Sequence, residues 1–107
     1  MAQFDLHQNK GPLKDTIPYV VVVQSSLFDG YRRTVVVPLV KRSALPAGIP
    51  GTRLNPSFKV RGAMLVLHPL DMVSVALDQL GARVGSLAEN GQEIADALDE
   101  LLTRSWR

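Results

Sequence analysis

With 107 residues, 46% hydrophobic and 21% charged, the chain has the size and composition of one globular domain spanning residues 1–107, which excludes both a two-core protein and a disordered one. Cysteine is absent, which excludes disulfides, thiolate metal sites and a cysteine nucleophile and predicts a cytoplasmic location. The net charge is only +2, yet residues 1–88 hold ten Lys and Arg against five Asp and Glu, and residues 89–107 hold two against five; a basic body carries an acidic tail.

The opening Met1-Ala2-Gln3-Phe4-Asp5 has neither a positive segment nor an apolar one, and the longest apolar run, Tyr19 to Val23, is too short to cross a bilayer. Neither secretion nor membrane insertion is expected. Gln3 to His7 reads as a short strand with Phe4 and Leu6 on one side. Residues 8–17, broken by Gly11-Pro12, read as a mobile loop.

Two strands follow, Tyr19 to Gln24 and Arg33 to Leu39. Their β-branched side chains are stiff and pack well on a pleated surface. Asp29-Gly30 between them is a turn signal, so the pair is predicted antiparallel. Hydrophobicity that is continuous rather than alternating predicts burial on both faces, with a core on one side and a subunit interface on the other.

Three prolines and two glycines between Ser43 and Pro56 predict a long surface excursion. Strand signals resume at Phe58 to Arg61, turn at Gly62, and continue through Ala63 to His68 and Met72 to Val75; a break near Leu80-Gly81 completes the β portion. Asn90-Gly91-Gln92-Glu93 has the spacing of a capping box. Ile94, Ala97, Leu98, Leu101, Leu102 and Ser105 then recur at the helical period, with Glu93, Asp96, Asp99, Glu100 and Arg104 elsewhere. One amphipathic helix packed on a sheet is the result, its early acids and late Arg104 and Arg107 matching the helix dipole.

Few residues suggest chemistry. His7 and His68 stand alone as strand-end residues, without the spacing of a metal site, and no phosphate-binding glycine motif is present. No metal, cofactor or enzymatic activity is expected. Asp99 and Glu100 sit on the helix, where solvation is their default role. Arg32 and Arg33, with Thr34 and a histidine, are the candidates for an anion-binding or RNA-cleaving site, against the plainer reading of a solvated loop. Trp106 is the sole tryptophan. At about 100° per residue it falls about 120° from Ile94, off the apolar stripe, whereas Leu98 and Leu101 fall within about 40°. An exposed tryptophan reads either as a loose terminal residue or as an anchor for a protein partner.

Together, Met1-Ala2-Gln3-Phe4, Val23-Gln24-Ser25-Ser26-Leu27-Phe28-Asp29, Arg32-Arg33-Thr34-Val35-Val36-Val37-Pro38-Leu39, Leu70-Asp71-Met72-Val73-Ser74-Val75 and a terminal helix ending in tryptophan resemble the CcdB family of toxins from type II toxin–antitoxin modules. The resemblance implies a mainly β fold, an SH3-like β-barrel of the CcdB and MazF kind with one C-terminal α-helix, assembled as a homodimer. It implies a poison of DNA gyrase that binds the A subunit and traps the cleaved-DNA complex, and that a CcdA-like antitoxin neutralises by folding over it. No membrane partner and no sequence-specific nucleic-acid binding are implied. Carried over by position, the target-binding residues are Leu27, Phe28, Leu102, Ser105, Trp106 and Arg107. The family's Phe-Trp-Gly-Ile ending is replaced by Ser105-Trp106-Arg107, which sets a cation beside a ring expected to stack on a gyrase arginine. The alternatives are a MazF-like ribonuclease on the same fold and a non-toxic homologue that only binds antitoxin.

Overall fold

A computed structural model describes residues 2–106; Met1 and Arg107 lie outside it. Seven strands occur among the described residues: β1 (Asp5–Gln8), β2 (Tyr19–Val22), β3 (Arg33–Lys41), β4 (Ser57–Val60), β5 (Ala63–Leu67), β6 (Val73–Ala76) and β7 (Arg83–Ser86); the helix α1 (Gly91–Leu102) follows. Pairing is antiparallel throughout, in the order β4-β5-β3-β2-β1-β7, with β6 also on β3. The expected mainly β, barrel-like fold with one C-terminal helix is therefore present, as a curled antiparallel half-barrel.

The nine-residue β3 organises the sheet. One edge pairs with β2, Val22↔Val36 to Tyr19↔Leu39. The other edge forks: Arg33 to Val36 pair with β6, and Leu39 to Lys41 pair with β5. Two strands leaving one edge in succession force the sheet to bend, and an irregularity between Leu6 and His7 in β1 adds curvature. Pro38, which has no N–H, falls where β6 has ended and β5 has not begun, and its carbonyl accepts from His68 N–H at 3.1 Å. Proline is tolerated in this central strand because the missing donor faces that gap.

The concave face buries Val21, Val37, Leu39, Leu65 and Leu67 against Ile94 and Ala97 of α1, with Phe4 and Leu98 partly buried around them. Val22, Val36 and Val66, on the alternate face, are also almost wholly buried. This corrects one expectation: the chain itself covers much of that second face, without a subunit interface. Val36 lines a cavity of about 250 Å³ together with Leu13, Ile17, Val20, Val73 and Leu80. The segment over it is tied down, because Asn9 Nδ2 donates to the Ile17 carbonyl at 2.7 Å and Lys41 N–H to the Thr16 carbonyl at 2.8 Å.

Hairpin β4–β5 turns on Arg61 (φ 49°) and Gly62 (φ 83°), the double left-handed geometry that matches the twist of flanking strands. The Ser43–Pro56 excursion is irregular apart from a 3₁₀ turn at Arg42–Ala44, yet its Asn55 is buried and donates through Nδ2 to the Leu67 carbonyl at 3.0 Å. From the same loop Arg53 reaches the acidic face of α1, 2.9 Å from Glu100 and within 4 Å of Asp96 and Asp99.

Two helix expectations fail. The capping box does not form: Asn90 closes a 3₁₀ turn (Ala88–Asn90), its N–H is held by the Leu87 carbonyl at 2.8 Å, and its side chain donates to Glu93 Oε1 instead of capping. The helix also stops at Leu102, where both Thr103 and Arg104 N–H turn back to the Asp99 carbonyl. Arg104 and Ser105 therefore lie beyond it, and Arg107 is outside the described residues.

Candidate target-binding surface

The connection from β2 to β3 is built as a braced projection. Ser25 Oγ accepts from Leu27 N–H at 3.2 Å and starts a 3₁₀ turn over Ser26–Phe28. That turn pushes Leu27 and Phe28 outward; they are 86% and 47% exposed. Gln24 Nε2 lies 3.4 Å from both the Phe28 and the Arg33 carbonyls and ties the two ends of the projection together. Phe28 and Tyr31 meet edge to face, with centroids 5.7 Å apart.

Arg33 is clamped to β6: its Nε donates to Ser74 Oγ at 2.9 Å and Nη2 to the Ser74 carbonyl at 2.7 Å. The Arg32 carbonyl accepts from Leu77 N–H at 3.0 Å. Two open grooves flank this arginine ridge. One, of about 510 Å³, is lined by Arg32, Arg33, Ala76, Leu77 and Asp78; the other, of about 770 Å³, by Gln24, Phe28, Gly30, Tyr31, Arg32 and Arg33. Among the described residues no histidine lines either. Thr34, proposed as a companion of the arginines, is buried.

At the far end of the chain Leu102, Ser105 and Trp106 are all exposed, Trp106 at 81%. The expectation that Trp106 lies off the buried stripe holds in its outcome but not in its reasoning, because the chain leaves the helix before Ser105 and the wheel does not extend to it. No hydrogen bond, ion pair or ring contact joins Leu27 or Phe28 to Leu102, Ser105 or Trp106 within one chain. What Leu27, Phe28, Leu102 and Trp106 share is apolar surface left in water. Leu70, on the 3₁₀ turn at Pro69–Asp71 against which α1 packs, and Val73 at the start of β6 are exposed as well, at 65% and 50%.

Asp5, His7 and His68 line neither groove. Asp5 is buried on β1. Burial raises its pKa, but the Ala2 N–H at 2.9 Å, Arg83 Nε at 3.2 Å and the nearby His7 together hold it below the usual 3.8. His7 is buried with Nδ1 2.9 Å from the Gly81 carbonyl, and His68 Nδ1 lies 3.1 Å from Asp71. Both histidines serve local structure. Asp5, Arg53 and Tyr31 were not singled out by the sequence; only the aromatic character of Tyr31, next to Arg32-Arg33, could have marked it.

Set against known proteins, the chain matches the family model described as CcdB protein over residues 3–103. No curated protein matches it in sequence. Among solved structures it is similar to an endoribonuclease in complex with its cognate antitoxin from Mycobacterial species (TM-score 0.76, 11% identity, 100% of this chain and 99% of that one) and to the Mycobacterium tuberculosis toxin MazF-mt6 (TM-score 0.73, 14% identity, 95% and 99%). At such identities the likeness is one of fold. It nevertheless corrects the expectation that the chain is no enzyme, since this architecture carries an endoribonuclease and a fold of this kind gives no ground for excluding catalysis.

Proposed function

The chain belongs to the CcdB family, and from that membership we propose that it is the toxin of a type II toxin–antitoxin module, acting as a homodimer in the cytoplasm, binding the DNA gyrase A subunit and trapping the gyrase–DNA cleavage complex. The observation that carries the reading is the exposure of Leu27 (86%) and Trp106 (81%). Large apolar side chains so far into water contribute nothing to the fold, whereas a partner that covers them gains their full burial. Phe28, Leu102 and Ser105 flank them in sequence, and Arg107 completes the proposed set. An antitoxin partner is supported by the antitoxin-bound relative in fold.

The test is purified protein with gyrase and supercoiled DNA, scored for linear product after denaturation. Accumulation of linear DNA that Trp106→Ala abolishes supports the reading. Antitoxin binding without any linear product leaves a non-toxic homologue.

A second reading, a MazF-like ribonuclease, is favoured by one observation: Arg32 and Arg33 line both grooves, where they could hold phosphate oxygens. Cleavage of a defined RNA that Arg33→Ala abolishes would establish it and displace gyrase as the target.

A further inference from the structure

We propose that the ridge of Tyr31, Arg32 and Arg33, with the Phe28 ring beside it, is a docking platform for single-stranded nucleic acid. This goes beyond the gyrase reading, and it deepens the ribonuclease reading without requiring cleavage.

The alternation of ring and cation carries the inference. Tyr31 is 64% exposed, its N–H held by the Phe28 carbonyl at 3.1 Å and its ring set edge to face on the Phe28 ring, which leaves ring surface open for a base to stack on. Arg32 is exposed and lines both grooves. Arg33 is exposed as well but immobilised, because two of its nitrogens are held by Ser74. A fixed guanidinium loses less freedom when it binds phosphate than a free one.

The grooves divide the roles. The 510 Å³ groove includes Asp78, whose charge opposes phosphate. The 770 Å³ groove is lined by amide, aromatic and arginine side chains and by Gly30, with no carboxylate among its lining residues; Asp29 belongs to the same connection but does not line it. Bases therefore stack on the Tyr31 side while the backbone passes over Arg32 and Arg33. An acidic peptide would use the arginines and leave the rings idle. An apolar protein surface would use the rings and take the Arg32 charge out of water, at a cost.

The test is fluorescence anisotropy of the full chain with end-labelled eight-nucleotide oligo-dT and oligo-U, each titrated at several salt concentrations with a chelator present. Wild type is expected to bind, with a slope of log K against log salt near −1.4 for two phosphate contacts on a single strand. Tyr31→Ala should weaken binding about 5- to 150-fold, the range of one base stacked on an aromatic, while Tyr31→Phe, which keeps the ring, should retain it. Arg32→Ala should shrink the slope by about 0.7. Lys14→Ala, at a residue that lines neither groove, should change nothing. Similar affinity for both oligonucleotides assigns the recognition to base faces and phosphates; a marked preference for oligo-U adds the 2′-hydroxyl; both support the platform. No binding overturns it. So does binding that survives Tyr31→Ala, or an acidic peptide that competes as well and is equally indifferent to Tyr31. Gel analysis of the same samples separates the two readings: bound but intact oligo-U retains the platform and defeats the ribonuclease, whereas cleavage that ignores Tyr31 and Arg32 does the reverse.

Discussion

Single side chains here divide into those the fold consumes and those it leaves over. Trp106, at 81% exposed, belongs to the second group. If gyrase A is the target, Trp106→Ala should cost about 2–4 kcal/mol of its binding, roughly 30- to 1,000-fold in affinity, measured by titration, while the thermal midpoint hardly moves. Loss of folding instead would mark the residue as structural. Asp5 belongs to the first group. Because its folded pKa lies below 3.8, its contribution is complete above that ordinary value and is lost as the pH falls through the lower, folded one. Asp5→Asn should therefore destabilise the protein by about 1–3 kcal/mol near neutrality, with the gap in urea midpoint between variant and wild type closing as the pH drops below 3.8. A constant gap would show that shape, not charge, matters at this position. The exposure of Trp106 was expected from a helical wheel that in fact ends at Leu102, so only its residue type marked it. Asp5 was not, since its significance depends on Arg83 and Ala2 being brought to it by β1–β7 pairing.

Strong elements were legible and weak ones were not. The β-branched runs of β2 and β3 and the 3.6-residue period of α1 carry their own signals. β7 was missed because Arg83-Val84-Gly85-Ser86 offers one apolar side chain and a glycine; it is a strand because β1 has an open edge to fill. The false capping box had the right residues at the right spacing, but the 3₁₀ turn before it had already oriented Asn90. Gly81 exposes the same dependence on tertiary context. A Cβ there would sit 2.2 Å from the Gln8 carbonyl oxygen, a backbone atom that cannot swing aside. Gly81→Ala should cost about 1–3 kcal/mol or more, read from denaturant unfolding, and should disturb the β1–β7 edge, whereas Gly30→Ala, with open space around it, should be close to neutral.

For the whole molecule, the sequence conveyed the fold class and the family, but it misjudged why the strands are apolar on both faces. One chain already covers Val22, Val36 and Val66. The apolar area available for a second copy is instead Leu70 and Val73, near Leu27 in neither sequence nor strand pairing, together with the residues after α1. Sedimentation at micromolar concentration should give twice the 11.7 kDa chain mass, and Val73→Lys should shift it toward the monomer. A clean wild-type monomer would overturn the proposed homodimer.

The fork in β3 also governs time. Its amides are engaged by β2 on one edge and by β6 and then β5 on the other, so no fraying of a single neighbour frees the whole strand. Deuterium should enter at Val36, Val37 and Leu39 only through global opening, at rates that report the total stability, while amides of β7 at the sheet's end exchange far sooner through local excursions. The strand that begins at Arg33, one residue beyond the exposed Tyr31-Arg32 ridge, is thus the slowest part of the chain to open, and the surface offered to partners is anchored to it.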